Sequence, residues 1–338
     1  MQHLHITNLW INSLLQAFSQ TGLDTQALIR GFPGFDNNQL QEGQPLPLSM
    51  ARTMWHRAEK LSDDPLLGAT IGSNQNFRSS GVLMPVCWHS PNALTALRHI
   101  ASFQKLISEN GLYRISECDN GHWIRCEYVP SVNAVAPNQQ QILSVVSGTL
   151  QLLREITGGR LILRQLMVPE TLECSALSKQ LQCSAIAHPG NFCLVMDKQS
   201  LSHPVIGRDE QLYQINLAYA EGMLRSQREH QTLVEQITFC IDVEQPAQVS
   251  MQHIVDELGM QPRVIQRHLS EQNTSFRELK NQILKQRCLD LLVTRNLDPE
   301  FVALSLGYTE TSAFYRAFKL WFGATPKQFK QQKITPTE

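Results

Sequence analysis

The chain has 338 residues, a formal net charge of −1 and 17% charged residues. This length exceeds what one hydrophobic core usually supports, so we expect at least two domains. The 42% of hydrophobic residues excludes a chain that is disordered throughout. No apolar run reaches the roughly 18 residues of a membrane span, and the first residues lack a secretory pattern. We therefore expect a cytoplasmic protein with no membrane partner.

The first 200 residues alternate predicted helices with predicted strands. Helices are predicted over 49–61, 91–111 and 138–157 from caps and apolar spacing. The Asn120-Gly121 pair between two alternating segments predicts a β-hairpin. Strands are predicted over 81–88, 111–118, 122–129, 160–168 and 191–197. This mixture predicts an α+β domain over residues 1–205.

A continuous helix is predicted from about Asp209 to Phe239, with apolar residues such as Leu212, Ile215 and Tyr219 at helical spacing. Residues 206–245 are therefore interpreted as a helical linker. Such a helix can serve as a dimerisation element or can pack back on its own domain, and the sequence leaves both alternatives open.

The segment 246–334 is predicted to be all helical and contains a weak internal repeat. In each copy a capped helix ends at a glycine, and a two-residue turn leads into a second helix. Helix, short turn and helix together are typical of a helix-turn-helix. The cap, the glycine and the start of the second helix are Ser250, Gly259 and Pro262 in the first copy, and Asp298, Gly307 and Glu310 in the second.

Each second helix carries an apolar pair at i, i+4 and an arginine two residues after its first member. Two residues turn a helix by about 200°, so the arginines should point away from the core. The pairs are Ile265 with Leu269 and Phe314 with Phe318, and the arginines are Arg267 and Arg316. Arginine and glutamine can contact guanine and adenine edges in the DNA major groove. Candidate base-contacting residues are Arg263, Gln266, Arg267, Thr311, Ser312, Tyr315 and Arg316.

The charge distribution fits this hypothesis only moderately. Residues 246–338 hold 12 Lys and Arg against 9 Asp and Glu, a net charge of +3. A positive segment suits a polyanionic partner, but this excess is small.

At these residues the sequence resembles the AraC/XylS family of bacterial transcription regulators. The stretches GYTETSAFYRAFKLWFGATPKQF and GMQPRVIQRHLSEQNTSF carry the resemblance, and LPLSMARTMWHRAEKLSDDPLLGATIG, GVLMPVCWHSPNALTALRHIASF and NFCLVMDKQSLSHPV extend it to an arabinose-binding-type N-terminal domain, as in ornithine-utilisation regulators. Gln261 departs from the usual capping serine, and Asn273 from a frequent glycine.

The resemblance implies a regulator whose N-terminal domain senses a small molecule and whose residues 246–334 bind double-stranded promoter DNA. It also implies homodimerisation and contact with RNA polymerase. The effector, the operator and the sign of regulation stay open. Candidate ligand-binding residues in the sensor domain are Trp88, His89, Tyr113, Trp123 and Arg125.

Two alternatives are kept. The protein could regulate DNA without a ligand, under control of a protein partner. It could also be a repair methyltransferase, because Cys87 and His89 lie close together in PVCWH. However, the order differs from the Pro-Cys-His-Arg setting of those enzymes, and an inert thiol is expected in an apolar strand. We therefore expect no enzymatic activity. The eight scattered cysteines form no CxxC pair, and no cofactor or metal site is indicated.

Overall fold

The computed structural model describes residues 4–32, 45–75, 81–131, 137–229, 232–243, 245–294 and 296–334. The chain divides into two compact units, Met1–Ser226 and Gln227–Glu338. The first unit mixes helices with strands and the second is helical within the described ranges. This arrangement confirms the predicted fold class.

The first unit begins with short elements and helices. The short strands β1 (His5–Thr7) and β2 (Pro45–Pro47) pair antiparallel. The helices are α1 (Asn8–Gln20), α2 (Thr25–Ile29), α3 (Leu48–Leu61), α4 (Leu67–Asn74), α5 (Leu83–His89), α6 (Ala93–Phe103), α7 (Gln139–Ile156), α8 (Cys174–Leu181) and α9 (Lys198–Ser202).

A five-stranded sheet forms the centre of this unit. In spatial order it contains β3 (Gly111–Cys118), β4 (Trp123–Pro130), β7 (Cys193–Asp197), β5 (Leu163–Val168) and β6 (Ala185–Ala187). Neighbours are antiparallel except β5 and β6, which are parallel. The predicted hairpin is present, and Asn120 and Gly121 both have positive φ in its turn. Ile124 and Tyr128 alternate onto the face that packs against α7, where the main core lies.

Helix α7 also packs closely against α4. A Cβ atom on Gly68 would lie 2.2 Å from the carbonyl oxygen of Gln140, so only glycine permits this distance. The backbone N–H of Gly68 donates to Oε1 of Gln140 at 2.8 Å. This contact fixes the position of α7 against α4.

The strand prediction over 81–88 is wrong, because residues 83–89 form α5. A short apolar run is compatible with either a buried strand or a buried helix. Leu83, Met84, Val86 and Cys87 are all buried, so the helix is surrounded by protein rather than having one apolar face. Pro85 is tolerated because it lies in the first helical turn, where its missing N–H has no intrahelical partner. The predicted helix over 91–111 is also shorter, since α6 ends at Phe103 and a 3₁₀ turn follows.

The predicted continuous helix from 209 to 239 is two helices, α10 (Glu210–Glu229) and α11 (Leu233–Val243). Thr232 and Glu235 form a reciprocal capping box that starts α11. The Glu235 N–H donates to Oγ1 of Thr232 at 3.3 Å, and the Thr232 N–H donates to Oε2 of Glu235 at 2.8 Å. Such a box specifies a new helix start, and apolar spacing alone does not detect it.

Helix α10 has one side on the core of the first unit and another in solvent. Tyr213 and Ala220 are buried in that core. The hydroxyl of Tyr213 lies 2.8 Å from Nε2 of His99, and burial lowers the pKa of His99. The solvent side carries exposed apolar side chains, namely Leu212, Ile215, Tyr219 and Met223.

The second unit continues from α11 with α12 (Met251–Leu258), α13 (Pro262–Glu271), α14 (Phe276–Leu289), a π-helical turn over 290–294, α15 (Pro299–Ser305), α16 (Thr311–Phe322) and α17 (Pro326–Ile334). It contains two separate cores. Ile254, Ile265 and Leu269 belong to the first, and Phe314 and Phe318 belong to the second. The two parts of the repeat are therefore two small packed bodies joined by α14.

Candidate functional site

The first helix-turn-helix is formed by α12 and α13. Ser250 caps α12, since its Oγ accepts from the His253 N–H at 3.1 Å. Gly259 ends the helix in the left-handed conformation with φ +62°. Pro262 is the first residue of α13, where its fixed φ and missing N–H favour a helix start. Gln261 makes no side-chain cap, so the start of α13 depends on Pro262.

The second helix-turn-helix is formed by α15 and α16. Pro299 opens α15, while the side chain of Asp298 makes no capping hydrogen bond. Gly307 has φ +90°, and a Cβ atom there would lie 2.6 Å from Cβ of Gln245. Glycine at this position therefore permits both the turn and the contact with the segment that precedes α12. Helix α16 then begins at Thr311.

The two second helices present comparable outward surfaces. In α13, Ile265 and Leu269 are buried, and the predicted contact residues Arg263, Gln266 and Arg267 are all exposed. Nε of Arg267 lies 3.7 Å from Oε1 of Glu271, a solvent-exposed pair that contributes little to stability. The three predicted contact side chains are therefore accessible to an external partner.

In α16, Phe314 and Phe318 are buried while Thr311, Ser312 and Arg316 are exposed. Tyr315 is half-buried, and its hydroxyl donates to Oε1 of Glu300 at 3.1 Å. The tyrosine thus connects α16 to α15, the first helix of its own motif. This contact gives Tyr315 a structural role inside the protein in addition to its predicted role toward DNA.

Two basic residues of α14 support these helices and were missed from the sequence. Nζ of Lys280 donates to the carbonyl oxygens of Ala247 and Val249 at 2.9 and 2.7 Å, and burial lowers its pKa. Arg287 is buried and Nε donates to Oδ1 of Asp242 at 2.7 Å. Their spacing of seven residues, which places them on one helix face, is the signal that could have shown a common structural role.

A cavity lies in the first unit, between α1, α6, α7 and the β3–β4 hairpin. Its volume is about 70 Å³, several times the roughly 10–15 Å³ needed to hold one water molecule. The lining is mainly apolar and includes Trp10, Leu14, Met84 and Ile100. Such a mainly apolar concavity with a few polar groups is typical of small-molecule sites.

Polar side chains at one end of the cavity form a buried network. Nε of the buried Arg52 donates to Oδ1 of Asn110 at 3.2 Å, and Nδ2 of Asn110 donates to the hydroxyl of Tyr128 at 3.2 Å. Burial raises the pKa of Tyr128, so its hydroxyl is neutral. Oε1 of Gln104 and Oε1 of Gln141 are buried and have no hydrogen-bond partner in the part of the chain described. These two oxygen atoms can accept hydrogen bonds from a bound molecule.

Of the five predicted ligand-binding residues, Tyr113 lines this cavity. Trp88 packs beside Gly207, and Nδ1 of His89 donates to the carbonyl oxygen of Gly207 at 2.8 Å. Trp123 stacks under the guanidinium of Arg164, at 5.0 Å from the ring centre. Arg125 lies beside Met167 at 3.7 Å. The structure therefore does not bring these five residues together around one site.

Cys87 is fully buried in α5 and its Sγ donates to the carbonyl oxygen of Ala96 at 3.6 Å. Burial raises the pKa of the thiol well above its ordinary value, so the thiolate is disfavoured. A buried neutral thiol has the properties of an inert core residue. The described residues contain no group of three His, Cys, Asp or Glu placed to hold a metal, and no described helix is long and apolar enough to span a bilayer.

Two curated relatives align with about a quarter of the chain. An uncharacterized HTH-type transcriptional regulator of Mycobacterium tuberculosis is 39% identical over 79 residues, which is 23% of each chain. The regulator GadX of Escherichia coli is 31% identical over 83 residues, 25% of this chain and 30% of GadX. The alignments thus span less than a third of the length of these relatives.

Two further proteins are similar over most of the chain. VqsM of Pseudomonas aeruginosa, an HTH-type transcriptional regulator, is 20% identical over 270 residues, 78% of this chain and 83% of VqsM. The crystal structure of the transcriptional regulator CdpR from Pseudomonas aeruginosa covers 96% of this chain and 98% of its own, with a TM-score of 0.50 and 18% identity. This likeness shows the fold.

Two family descriptions match the chain. A helix-turn-helix domain matches residues 254–332. The arabinose-binding domain found at the N-terminus of AraC transcription regulators matches residues 22–205, which is more than half of the 338 residues. The chain therefore belongs to the AraC family of transcription regulators.

Proposed function

We propose that the protein is a sequence-specific DNA-binding regulator that reads its operator with α13 and α16. The observation that carries this proposal is the duplicated arrangement of the two motifs. Each second helix buries an apolar pair and exposes an arginine on its other side, at Arg267 and Arg316. Arginine can bond a guanine edge through two parallel hydrogen bonds, which gives base discrimination. Such a regulator would act on promoter DNA in the cytoplasm, where it would meet RNA polymerase.

Selection from random duplex DNA tests this function. We expect the full chain to enrich one sequence class with two contacted segments about one helical turn apart, roughly 34 Å. Residues 246–338 carry a net charge of only +3, so the decrease of log affinity with log salt should be shallow. Failure to enrich any sequence would contradict the proposal, and a slope as steep as that of a strongly basic protein would contradict the charge argument.

We also propose that the first unit controls this activity by binding a small molecule. The cavity supports the proposal, because it is enclosed by residues of four elements and its lining holds two buried polar atoms without partners among the described residues. A ligand that binds only the folded protein stabilises it, and can bias its conformation if it prefers one state. Ligand binding would therefore distinguish a sensing regulator from one controlled solely by a protein partner.

Homodimerisation through α10 is a third part of the proposal. Leu212, Ile215, Tyr219 and Met223 are between 38% and 65% exposed and recur at three- and four-residue spacing. They form a continuous apolar stripe on the solvent side of α10, separate from the side that carries Tyr213 into the core. A second copy carries the same stripe, so a two-fold axis can bury both at once.

Replacing Ile215 and Tyr219 by glutamate should therefore shift the protein from dimer to monomer. Sedimentation velocity at micromolar concentration measures this change. The matched control is Gln211→Glu with Ala218→Glu, which adds the same charges at exposed positions beside the stripe. A wild-type protein that sediments as a monomer would refute the dimer and indicate that the stripe is covered within one chain.

A further inference from the structure

We propose that the cavity of the first unit binds a neutral, predominantly apolar small molecule that hydrogen-bonds to Gln104 and Gln141. The inference deepens the sensing function proposed above and rests on it. It names the chemical class of the effector from the lining itself.

The lining contains no Asp, Glu, Lys, Arg or His among the described residues. The guanidinium of Arg52 bonds to Asn110 of the lining, and it is already engaged with Oδ1 of Asn110 and the carbonyl oxygen of Ser131. A charged ligand would lose its hydration without gaining an opposite charge in the cavity. The ligand is therefore neutral.

Most of the polar groups in the lining are already hydrogen-bonded. The hydroxyl of Tyr113 donates to Oγ1 of Thr149 at 2.8 Å, and Oγ of Ser144 donates to the carbonyl oxygen of Gln141 at 2.8 Å. Asn110 is engaged on both sides by Arg52 and Tyr128. A sugar such as arabinose would leave several of its hydroxyl groups without partners, which is costly in a buried site.

Two lining atoms are different. Oε1 of Gln104 and Oε1 of Gln141 are buried and have no partner among the described residues, although both side chains line the cavity. Buried polar atoms normally have hydrogen-bond partners, so each of these indicates a missing donor. A ligand with one or two hydroxyl or N–H groups on an apolar body supplies these donors and fills the apolar remainder.

The test uses ¹⁹F NMR titration and thermal shift of the full chain with three probes of similar size. We expect saturable binding of 4-fluorobenzyl alcohol, with 4-fluorotoluene about five- to tenfold weaker because it lacks the donor. The anion 4-fluorobenzoate should bind more weakly than the alcohol. Tighter binding of 4-fluorobenzoate or of L-arabinose, or no preference between alcohol and toluene, would overturn the assignment.

Variants locate the binding site. Gln141→Leu should abolish the preference for the alcohol over the toluene and should raise the melting temperature of the ligand-free protein, because an unpartnered buried amide is removed. Gln104→Leu provides the same test at the second amide. Gln151→Leu, on α7 but outside the lining, should retain the preference. If Gln141→Leu and Gln104→Leu both bind as the wild type does, the site lies elsewhere.

DNA selection with the same protein separates this inference from the proposed function. If no probe binds while a DNA sequence is still enriched, the ligand class is wrong and the DNA-binding function stands. If the alcohol binds but no DNA sequence is enriched, the cavity assignment stands and the DNA-binding function fails.

Discussion

Replacing Arg267 and Arg316 together by alanine is expected to weaken binding to the selected operator by about 2–6 kcal/mol. Each arginine that bonds a guanine edge contributes about 1–3 kcal/mol of discrimination, and the two belong to helices of different cores, so their effects should add. Both side chains are exposed, so the loss should come from DNA contacts rather than from unfolding. Fluorescence anisotropy with the selected duplex and a scrambled duplex measures the effect.

The single variants assign the contacts to base positions. Arg267→Ala and Arg316→Ala should each relax selectivity at one position, and at different positions. Arg225→Ala, an exposed arginine on α10, removes the same charge without touching either motif and should keep the selectivity. If both single variants discriminated between operator and scrambled DNA as well as the wild type, the two-helix mechanism would be refuted.

Phe318→Ala is expected to lower the free energy of unfolding of the second half of the DNA-binding unit by about 3–5 kcal/mol. Phe318 is fully buried. Its ring centre lies 5.8 Å from that of Phe314, 4.6 Å from Phe322 and 5.5 Å from Phe329. Truncation therefore removes contacts with three other rings and leaves a cavity between α16 and α17.

Amide hydrogen exchange of α16 peptides measures this loss in the full chain, because it reports local opening without requiring two-state unfolding. Leu320→Ala is the matched control, since Leu320 lies two residues away and is 80% exposed. It should change stability by no more than about 0.5 kcal/mol. Equal effects of the two substitutions would show that α16 does not pack as described.

The helix ends of the DNA-binding unit could be predicted because their signals are local. Ser250, Gly259 and Pro262 each act within a few residues of their own position. The segment 81–88 lacked such a signal, and its apolar run fits a strand as well as a buried helix. The burial of α5 on several sides is set by tertiary contacts, so propensity alone indicated the wrong element.

The outward surfaces of α13 and α16 were likewise predictable, since a 3.6-residue period places each side chain relative to its buried pair. The cavity was not, because Trp10, Gln104 and Gln141 are far apart in sequence and meet only in the folded unit. Strand alternation was a signal that could have been used for Trp123 and Arg125. Both alternate with Ile124, which faces the main core, so they belong to the other side of β4.

Helix α14 contributes Leu279 and Ile283 to the first core of the DNA-binding unit, and Leu284 and Cys288 to the second. Its 14 residues span about 20 Å, and each added residue would turn one end by about 100° relative to the other. A rigid connector of this kind fixes the helical phase at which the two reading helices meet the duplex. Base pairs between the contacted segments would then influence affinity through the twist they impose, although no side chain touches them.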